Sequence, residues 1–146
     1  MTVKKTTRKQ AGRHTTQQVA SSTDNLNPIW VFDKIDRNGK FAFDVNRQDF
    51  DHKEILAKMI DYESMTWSEI KQQTHDHGKS KHHLLSGDGL SDEAKDRLRS
   101  LNLEESSYTL FSFALQNLLR VIGIRDKNLF HVLWYDPKHE VYPSSK

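Results

Sequence analysis

The chain has 146 residues, of which 35% are hydrophobic and 29% charged, so its apolar side chains suffice for one core and indicate a single domain. It has no cysteine, which excludes disulfides, thiolate metal sites and a cysteine nucleophile, and no apolar run long enough to span a membrane. We therefore expect a cytoplasmic protein without a membrane partner. The net charge of +2 is uneven: residues 1–28 hold five of the 22 basic residues and one of the 20 acidic residues, which leaves a net charge of −2 for the rest.

The N-terminal segment is rich in Thr, Gln and Ser and has almost no large apolar side chain. Such a segment cannot bury enough surface to offset the entropy lost on ordering, so residues 1–27 are predicted to be a disordered basic tail before a single domain over residues 28–146. Its cations could contact the phosphates of RNA or DNA, or could only keep the protein in solution. The candidate nucleic-acid-binding residues of the tail are Lys4, Lys5, Arg8, Lys9 and Arg13.

The first predicted element of the domain is a β-hairpin. Asn38-Gly39 lies between two aromatic-rich runs, and this dipeptide favours the two-residue turn of a hairpin. The paired strands would present one apolar face to the core. That face would consist of Trp30, Phe32, Phe41, Phe43 and Val45.

Three helices are predicted in the middle of the chain. Capping-box spacing of Asp51 with Glu54, and of Thr66 with Glu69, marks the first two starts, and the third helix would follow Ser91. The predicted buried positions are Ile55, Leu56, Met59 and Ile60 in the first helix, Trp67 and Ile70 in the second, and Ala94, Leu98 and Leu101 in the third.

The last third of the chain alternates between apolar and polar residues. The run "YTLFSFALQ" places Phe111, Phe113 and Leu115 on one side, and "LLRVIGIR" and "LFHVLWYD" flank a predicted three-residue turn at 126–128. The predicted fold is therefore α+β, with an antiparallel sheet (the N-terminal hairpin plus three C-terminal strands) packed with about three helices. In this register Val132 and Trp134 face the helices, and His131 and Tyr135 lie on the other surface.

That other surface would carry residue types suited to RNA cleavage. Cleavage without a metal needs a base for the ribose 2′-proton, an acid for the leaving oxygen and a cation for the phosphorane. Gly123, opposite His131, would leave open space beside the imidazole. The candidate catalytic residues are Arg125, His131, Tyr135 and His139. The alternative is that the histidine is a hydrogen-bonded structural group and that the aromatic residues only form the strand.

The stretch "HDHGKSKHH" is a second cluster of chemically active side chains. Its weak metal-ligand candidates are His75, His77, His82 and His83. A mobile loop with solvated histidines is the alternative, and we predict neither a metal nor another cofactor. Lys79 and Lys81 of this stretch are candidates for phosphate contacts.

The C-terminal segment "LRVIGIRDKNLFHVLWYDPKHEVYP" resembles the signature of a family of small, uncharacterised bacterial proteins found on chromosomes and mobile elements. The similarity extends through "WVFDKIDRNGKFAFD", "MTWSEI" and "KSKHH". More distantly, the element order is similar to that of the RelE-type toxin ribonucleases. Those toxins are shorter and strongly basic, and no stretch here follows their motif.

The favoured expectation is a nucleic-acid-associated protein of a bacterial mobile-element or defence module, acting as a toxin-like, metal-independent ribonuclease. RNA or DNA would be its partner, together with a cognate protein partner or inhibitor. The alternative is a non-enzymatic protein-interaction module that uses the C-terminal hairpin.

Overall fold

The computed structural model describes residues 23–75 and 77–143, so the five tail cations and Asp76 lie outside the described residues. The described part has an α+β fold, as predicted, with one five-stranded sheet in the order β1-β5-β4-β3-β2. Its strands are β1 (Ile29–Val31), β2 (His83–Leu84), β3 (Leu110–Ala114), β4 (Arg120–Asp126) and β5 (Leu129–Asp136). The helices are α1 (His52–Glu63), α2 (Trp67–Gln72) and α3 (Asp92–Ser100), and short 3₁₀ turns cover Gly87–Gly89 and Glu104–Tyr108. The β1–β5 pair is parallel and the other strand pairs are antiparallel.

Both faces of the sheet are buried under separate apolar clusters. The cluster on the α1–α2 face includes Trp67, Phe113, Phe130, Val132 and Tyr135. The cluster on the α3 face includes Leu98, Leu110, Ile122, Leu133 and Trp134. Because both faces are covered, functional side chains have to be sought at the edges and ends of the sheet.

The three helices begin where the sequence predicts, because their caps are local. The side chains of Asp51, Thr66 and Ser91 each accept a hydrogen bond from the backbone N–H three residues later, and Glu69 completes a capping box. Trp67, Ile70, Ala94 and Leu98 are buried as predicted, and Leu101 is partly buried.

The predicted stripe of α1 is wrong in part. Ile55 is buried and Met59 packs on the core, but Leu56 and Ile60 are 62% and 59% exposed. The buried face instead runs from Ile55 through Met59 to Tyr62, positions that recur at helical spacing. Tyr62 takes this place because its hydroxyl donates to the Ala114 carbonyl oxygen at 3.1 Å.

The predicted hairpin at Asn38-Gly39 does not form. The chain leaves the sheet after β1 and returns through an isolated bridge between Ala42 and Trp134. The buried Asp36 carboxylate holds this segment by accepting two hydrogen bonds from Arg97 at 2.8 Å and one from the Trp134 indole at 2.9 Å. An ion pair with α3 therefore replaces the expected strand pairing.

The apolar residues of that predicted hairpin also do not share one face. Phe41 joins the cluster on the α3 face and Phe43 the cluster on the α1–α2 face. Trp30 is partly buried, whereas Phe32 and Val45 are 45% and 52% exposed.

The β4–β5 hairpin has a different register from the predicted one. A two-residue turn pairs Asp126 with Leu129, and a bulge at Leu133 then shifts the pairing, so that Gly123 faces Val132 while Ile122 faces Trp134. The bulge sends Val132 and Tyr135 to one face and Trp134 to the other. The predicted common face of Val132 and Trp134, and the predicted exposed position of Tyr135, are therefore wrong.

Within the described residues, the segment 23–27 that precedes Pro28 contacts the folded domain. The carbonyl oxygens of Asp24 and Leu26 accept hydrogen bonds from the backbone N–H groups of Ser68 and Trp67. These are first-turn donors of α2, which have no partner inside the helix. The segment before Pro28 thus completes the start of α2.

Candidate nucleic-acid interface at Arg120

The sequence predicts that Arg125 stabilises charge in catalysis. In the structure, Arg125 instead binds the N-terminal segment to the domain. Its guanidinium donates to Asp24 at 2.7 Å and to the Lys127 carbonyl oxygen at 2.7 Å, and it lies 4.1 Å from the centre of the Trp67 ring. Burial acts to raise the pKa of Asp24, but hydrogen bonds from Lys71 and Arg125 outweigh it and lower that pKa. With its side chain 7% exposed, Arg125 lies in a structural ion pair.

Tyr135, the predicted acid or base, is 1% exposed. Its hydroxyl donates to the Asp49 carbonyl oxygen at 2.7 Å and accepts from the Asp51 N–H at 2.8 Å. Burial raises the pKa of this phenol. Tyr135 therefore ties the start of α1 to the sheet and has no open path to a substrate.

His131 makes one charged contact, with Asp33 beyond the end of β1. Its Nδ1 lies 2.7 Å from the Asp33 carboxylate, and this contact lowers the pKa of Asp33. The open space predicted at Gly123 is filled, since a Cβ there would lie 2.3 Å from the His131 carbonyl oxygen and 2.6 Å from the Phe130 ring.

The structure does not bring Arg125, His131 and Tyr135 together. Arg125 lies beside the β4–β5 turn, His131 opposite β1, and Tyr135 beneath the start of α1. The hairpin that carries them is central in the sheet, because β5 also pairs with β1 and β4 also pairs with β3. A protein-interaction module that uses this hairpin would therefore expose little of the hairpin to a partner.

The histidine stretch also separates into different environments. His82 is 1% exposed, its Nδ1 accepts from the Ala114 N–H at 3.0 Å, and its Nε2 lies 2.7 Å from the Gln73 side-chain oxygen. Both ring nitrogens are thus occupied, which excludes His82 as a metal ligand. His75 and His77 are exposed on a turn closed by the bridge between Thr74 and Ser80. Within residues 23–75 and 77–143, no group of three or more His, Cys, Asp or Glu is arranged to hold a metal.

One arginine and two histidines lie near one end of the α3 face; we call this group the Arg120 site, formed by His83, Arg120 and His139. In β3, Ser112 pairs with His83 and Ala114 pairs with Arg120. Directly paired residues share a face of a sheet, as do residues two apart in one strand. His83 and Arg120 therefore flank β3 on the same face, over two small side chains.

His139 reaches this site through a turn that follows β5. Asp136, directly opposite Arg120, is 0% exposed and accepts hydrogen bonds from the N–H groups of Glu140 and Val141 at 2.9 and 2.8 Å. This carboxylate closes the turn, in which His139 adopts a left-handed conformation with φ of 59°. The partly buried His139 is thereby held beside the sheet end that carries Arg120.

The electrostatics agree with this placement. Burial lowers the pKa of His139, and the positive charges of Arg120 and His83 lower it further, against the opposing effect of Asp136. Burial also lowers the pKa of His83, with Arg120 and His75 acting in the same direction. Both shifts favour the neutral imidazoles beside the charged Arg120, and a bound anion would act in the opposite direction by stabilising their protonated forms.

Arg120 retains hydrogen-bonding capacity toward such an anion. Its Nη1 donates to the carbonyl oxygens of Asn117 and Leu119, at 2.9 and 3.0 Å. In the described part of the chain, its Nε and Nη2 make no hydrogen bond within 3.5 Å, and the buried Asp136 carboxylate is already engaged by backbone donors. A guanidinium with free donors is suited to phosphate or carboxylate.

The sequence indicates only part of this site. His139 is among the predicted catalytic residues and His83 among the metal-ligand candidates, whereas Arg120 belongs to neither set. Lys81, a candidate for phosphate contacts, precedes the site by two residues and is partly buried, whereas Lys79 is exposed on the turn. The three residues of the site come from distant parts of the chain, so no local motif connects them.

No protein-family model, curated protein or solved structure matches the chain. Across the described ranges, no helix has the length and apolar character needed to cross a membrane.

Proposed function

We propose that the chain is a nucleic-acid-associated protein that binds a phosphate group of RNA at the Arg120 site. The observation that carries the proposal is a partly buried arginine with uncommitted donors, with His83 across β3 on the same sheet face and His139 on the turn after β5. Lys81 and the tail cations would add electrostatic attraction to the phosphate backbone.

The reaction best suited to these residue types is metal-independent cleavage of RNA. One histidine would take the proton of the ribose 2′-hydroxyl, which attacks phosphorus, and the other would protonate the departing 5′-oxygen. Arg120 would stabilise the charge that develops on the phosphorane. The pKa values of His83 and His139 are lowered, which favours the neutral imidazole that a general base needs. A bound phosphate would raise both pKa values and so favour the protonated imidazole that a general acid needs.

The test is cleavage of a fluorescently labelled RNA in the presence of EDTA by wild type and His139→Asn. Asparagine tolerates the left-handed backbone of residue 139, so this variant removes the imidazole and keeps the turn. We expect the cleavage rate to fall by about 10²–10⁴-fold, as for the loss of an acid or base. His131→Ala is the matched control, because His131 lies outside the Arg120 site, and it should cleave at the wild-type rate.

Two outcomes would contradict the cleavage mechanism. One is undiminished cleavage by His139→Asn, and the other is equal cleavage of a DNA strand of the same sequence, which lacks the attacking 2′-hydroxyl. RNA binding without cleavage by the wild type would restrict the function to phosphate recognition.

A further inference from the structure

A polar cavity lies on the α1–α2 side of the sheet; we call it the Lys81 cavity. It has a volume of about 380 Å³ and lies between the second half of α1, the end of α2 and the segment that precedes β2. The residues that line it include Lys58, Asp61, Tyr62, Met65, Gln73 and Lys81. Two lysines and one aspartate give this lining a net positive charge.

The Lys81 cavity and the Arg120 site meet at Ala114, the last residue of β3. Ala114 pairs with Arg120 in β4. Its N–H donates to His82 and its carbonyl oxygen accepts from the hydroxyl of Tyr62, which lines the cavity. Burial raises the pKa of the Tyr62 phenol and the positive charge of Arg120 opposes this shift, so the two groups interact. Because adjacent strands lie only about 4.8 Å apart, the cavity and the Arg120 site are neighbours at one end of the sheet.

A buried histidine fixes the direction of one hydrogen-bond donor in the cavity. Nδ1 of His82 accepts from the Ala114 N–H at 3.0 Å, so the neutral ring carries its proton on Nε2. This Nε2 donates to the Gln73 side-chain oxygen at 2.7 Å and thereby orients the amide. The Gln73 side-chain nitrogen lies 4.0 Å from the Met65 sulfur, a weak acceptor, and makes no other hydrogen bond with the described part of the chain. Its donors are therefore available to a ligand.

Two ammonium groups accompany this amide. The Lys81 backbone N–H donates to the Gln73 carbonyl oxygen at 2.9 Å, so the two residues lie side by side. The Lys58 ammonium lies 3.1 Å from Glu54, whose carboxylate also accepts from the Gln116 N–H at 2.9 Å. An ammonium has three donors, so this ion pair leaves Lys58 able to bind a ligand as well. An oriented amide donor and two ammonium groups suit an anion with several acceptor oxygens, such as phosphate.

We propose that the Lys81 cavity is a second phosphate subsite, which binds the phosphate next to the one held at the Arg120 site on the same RNA strand. The assignment to RNA rests on the function proposed above, whereas the preference for phosphate rests on the donors of the cavity. Phosphate contacts fix the register of a bound strand. Two adjacent subsites would therefore hold the RNA backbone in one direction across the Arg120 site.

RNA binding by Lys81→Met over a series of salt concentrations tests the subsite. The loss of one phosphate contact should weaken binding and reduce the slope of log affinity against log salt by about one unit. The matched control is Lys53→Met, because Lys53 is exposed on α1 and does not line the cavity, and it should keep the wild-type slope. Asp61→Asn should strengthen binding, because it removes a carboxylate from the lining. An unchanged slope for Lys81→Met, or an equal reduction for Lys53→Met, would overturn the subsite.

The same measurement with Arg120→Met separates this proposal from the function proposed for the Arg120 site. If both sites bind phosphate, the double variant should lose about one further unit of slope relative to Arg120→Met alone. A reduced slope for Lys81→Met with an unchanged slope for Arg120→Met would contradict the Arg120 site and support the cavity. The reverse pattern would overturn the cavity alone.

Gln73 tests the role of the oriented amide. Gln73→Glu keeps the acceptor for His82 but replaces the amide donors with a carboxylate oxygen that repels phosphate, so RNA affinity should fall. With inorganic phosphate as the probe, NMR of the wild type should show a shift of the Gln73 side-chain amide signals, and this shift should be smaller in Lys81→Met. No shift at Gln73, or wild-type RNA affinity for Gln73→Glu, would overturn the subsite. A shift with inorganic phosphate, together with an unchanged RNA salt slope for Lys81→Met, would overturn the assignment to the RNA strand.

Discussion

At the scale of single residues, the buried polar side chains are structural and have identifiable partners. His82 and Tyr62 provide an example, because they satisfy the N–H and C=O groups of Ala114, two residues beyond the last β3 residue that pairs with β2. Buried backbone groups without partners are costly, so these two side chains complete the sheet where β2 is too short. This role explains why His82 is buried, whereas the sequence indicated it only as a candidate metal ligand.

His82 makes the stability of the fold dependent on pH. Burial lowers its pKa from 6.5 to about 3, so the neutral form is favoured in the folded state. The contribution of neutral His82 to the free energy of unfolding is complete above pH 6.5. It is lost as the pH falls from 6.5 toward 3, because over this range the histidine is protonated in the unfolded chain but not in the folded protein. We expect the free energy of unfolding to fall by about 2 kcal/mol from this group between pH 7 and pH 5.

Urea unfolding of wild type and His82→Gln at both pH values measures this effect. Glutamine does not titrate, so the variant should lose about 2 kcal/mol less than the wild type over the same interval. Equal losses in the two proteins would show that His82 is not the responsible group.

Tyr135 separates a structural role from a catalytic one. Tyr135→Phe removes the hydroxyl that bridges Asp49 and Asp51, leaving the Asp51 N–H without its partner at the start of α1. The expected loss is about 1–3 kcal/mol of unfolding free energy, with an unchanged rate of RNA cleavage. Thermal unfolding and the cleavage assay would report the two effects, and a fully stable variant with abolished cleavage would reverse the assignment.

At the scale of elements, the sequence predicts features that depend on neighbours along the chain. The helix caps at Asp51, Thr66 and Ser91, and the apolar side of β3, follow from spacings of a few residues. The register of β5 does not follow from such spacings, because the bulge at Leu133 depends on a segment that is distant along the chain. The Leu133 carbonyl oxygen accepts from the Asp36 N–H, and the Tyr135 N–H donates to the Phe41 carbonyl oxygen.

Gly123→Ala tests this register. A Cβ at residue 123 would meet the His131 carbonyl oxygen and the Phe130 ring, both packed too closely to yield without a backbone shift. We expect a loss of about 1–3 kcal/mol or more, as for overpacked cores. Gly87→Ala is the control, since its nearest neighbour is a Ser107 side-chain atom at 3.6 Å, and it should be neutral. A harmless Gly123→Ala would favour the register without a bulge.

At the scale of the whole molecule, the candidate functional side chains lie at one end of the sheet. Both faces are buried, so the polar residues of the central hairpin connect the sheet to neighbouring segments. The residues of the Arg120 site come from β2, β4 and the turn after β5, near one end of the α3 face. This gathering depends on tertiary structure, which is why the histidines drew attention in the sequence while Arg120 did not.

The most direct measurement is the affinity of wild type and Arg120→Met for a labelled RNA oligonucleotide over a series of salt concentrations. If Arg120 binds a phosphate, its loss should weaken binding at every RNA sequence and reduce the slope of log affinity against log salt by about one unit. Arg37→Met, which changes an exposed arginine outside the Arg120 site, should leave both quantities unchanged. Identical affinity and slope for wild type and a folded Arg120→Met protein would contradict the proposed phosphate site.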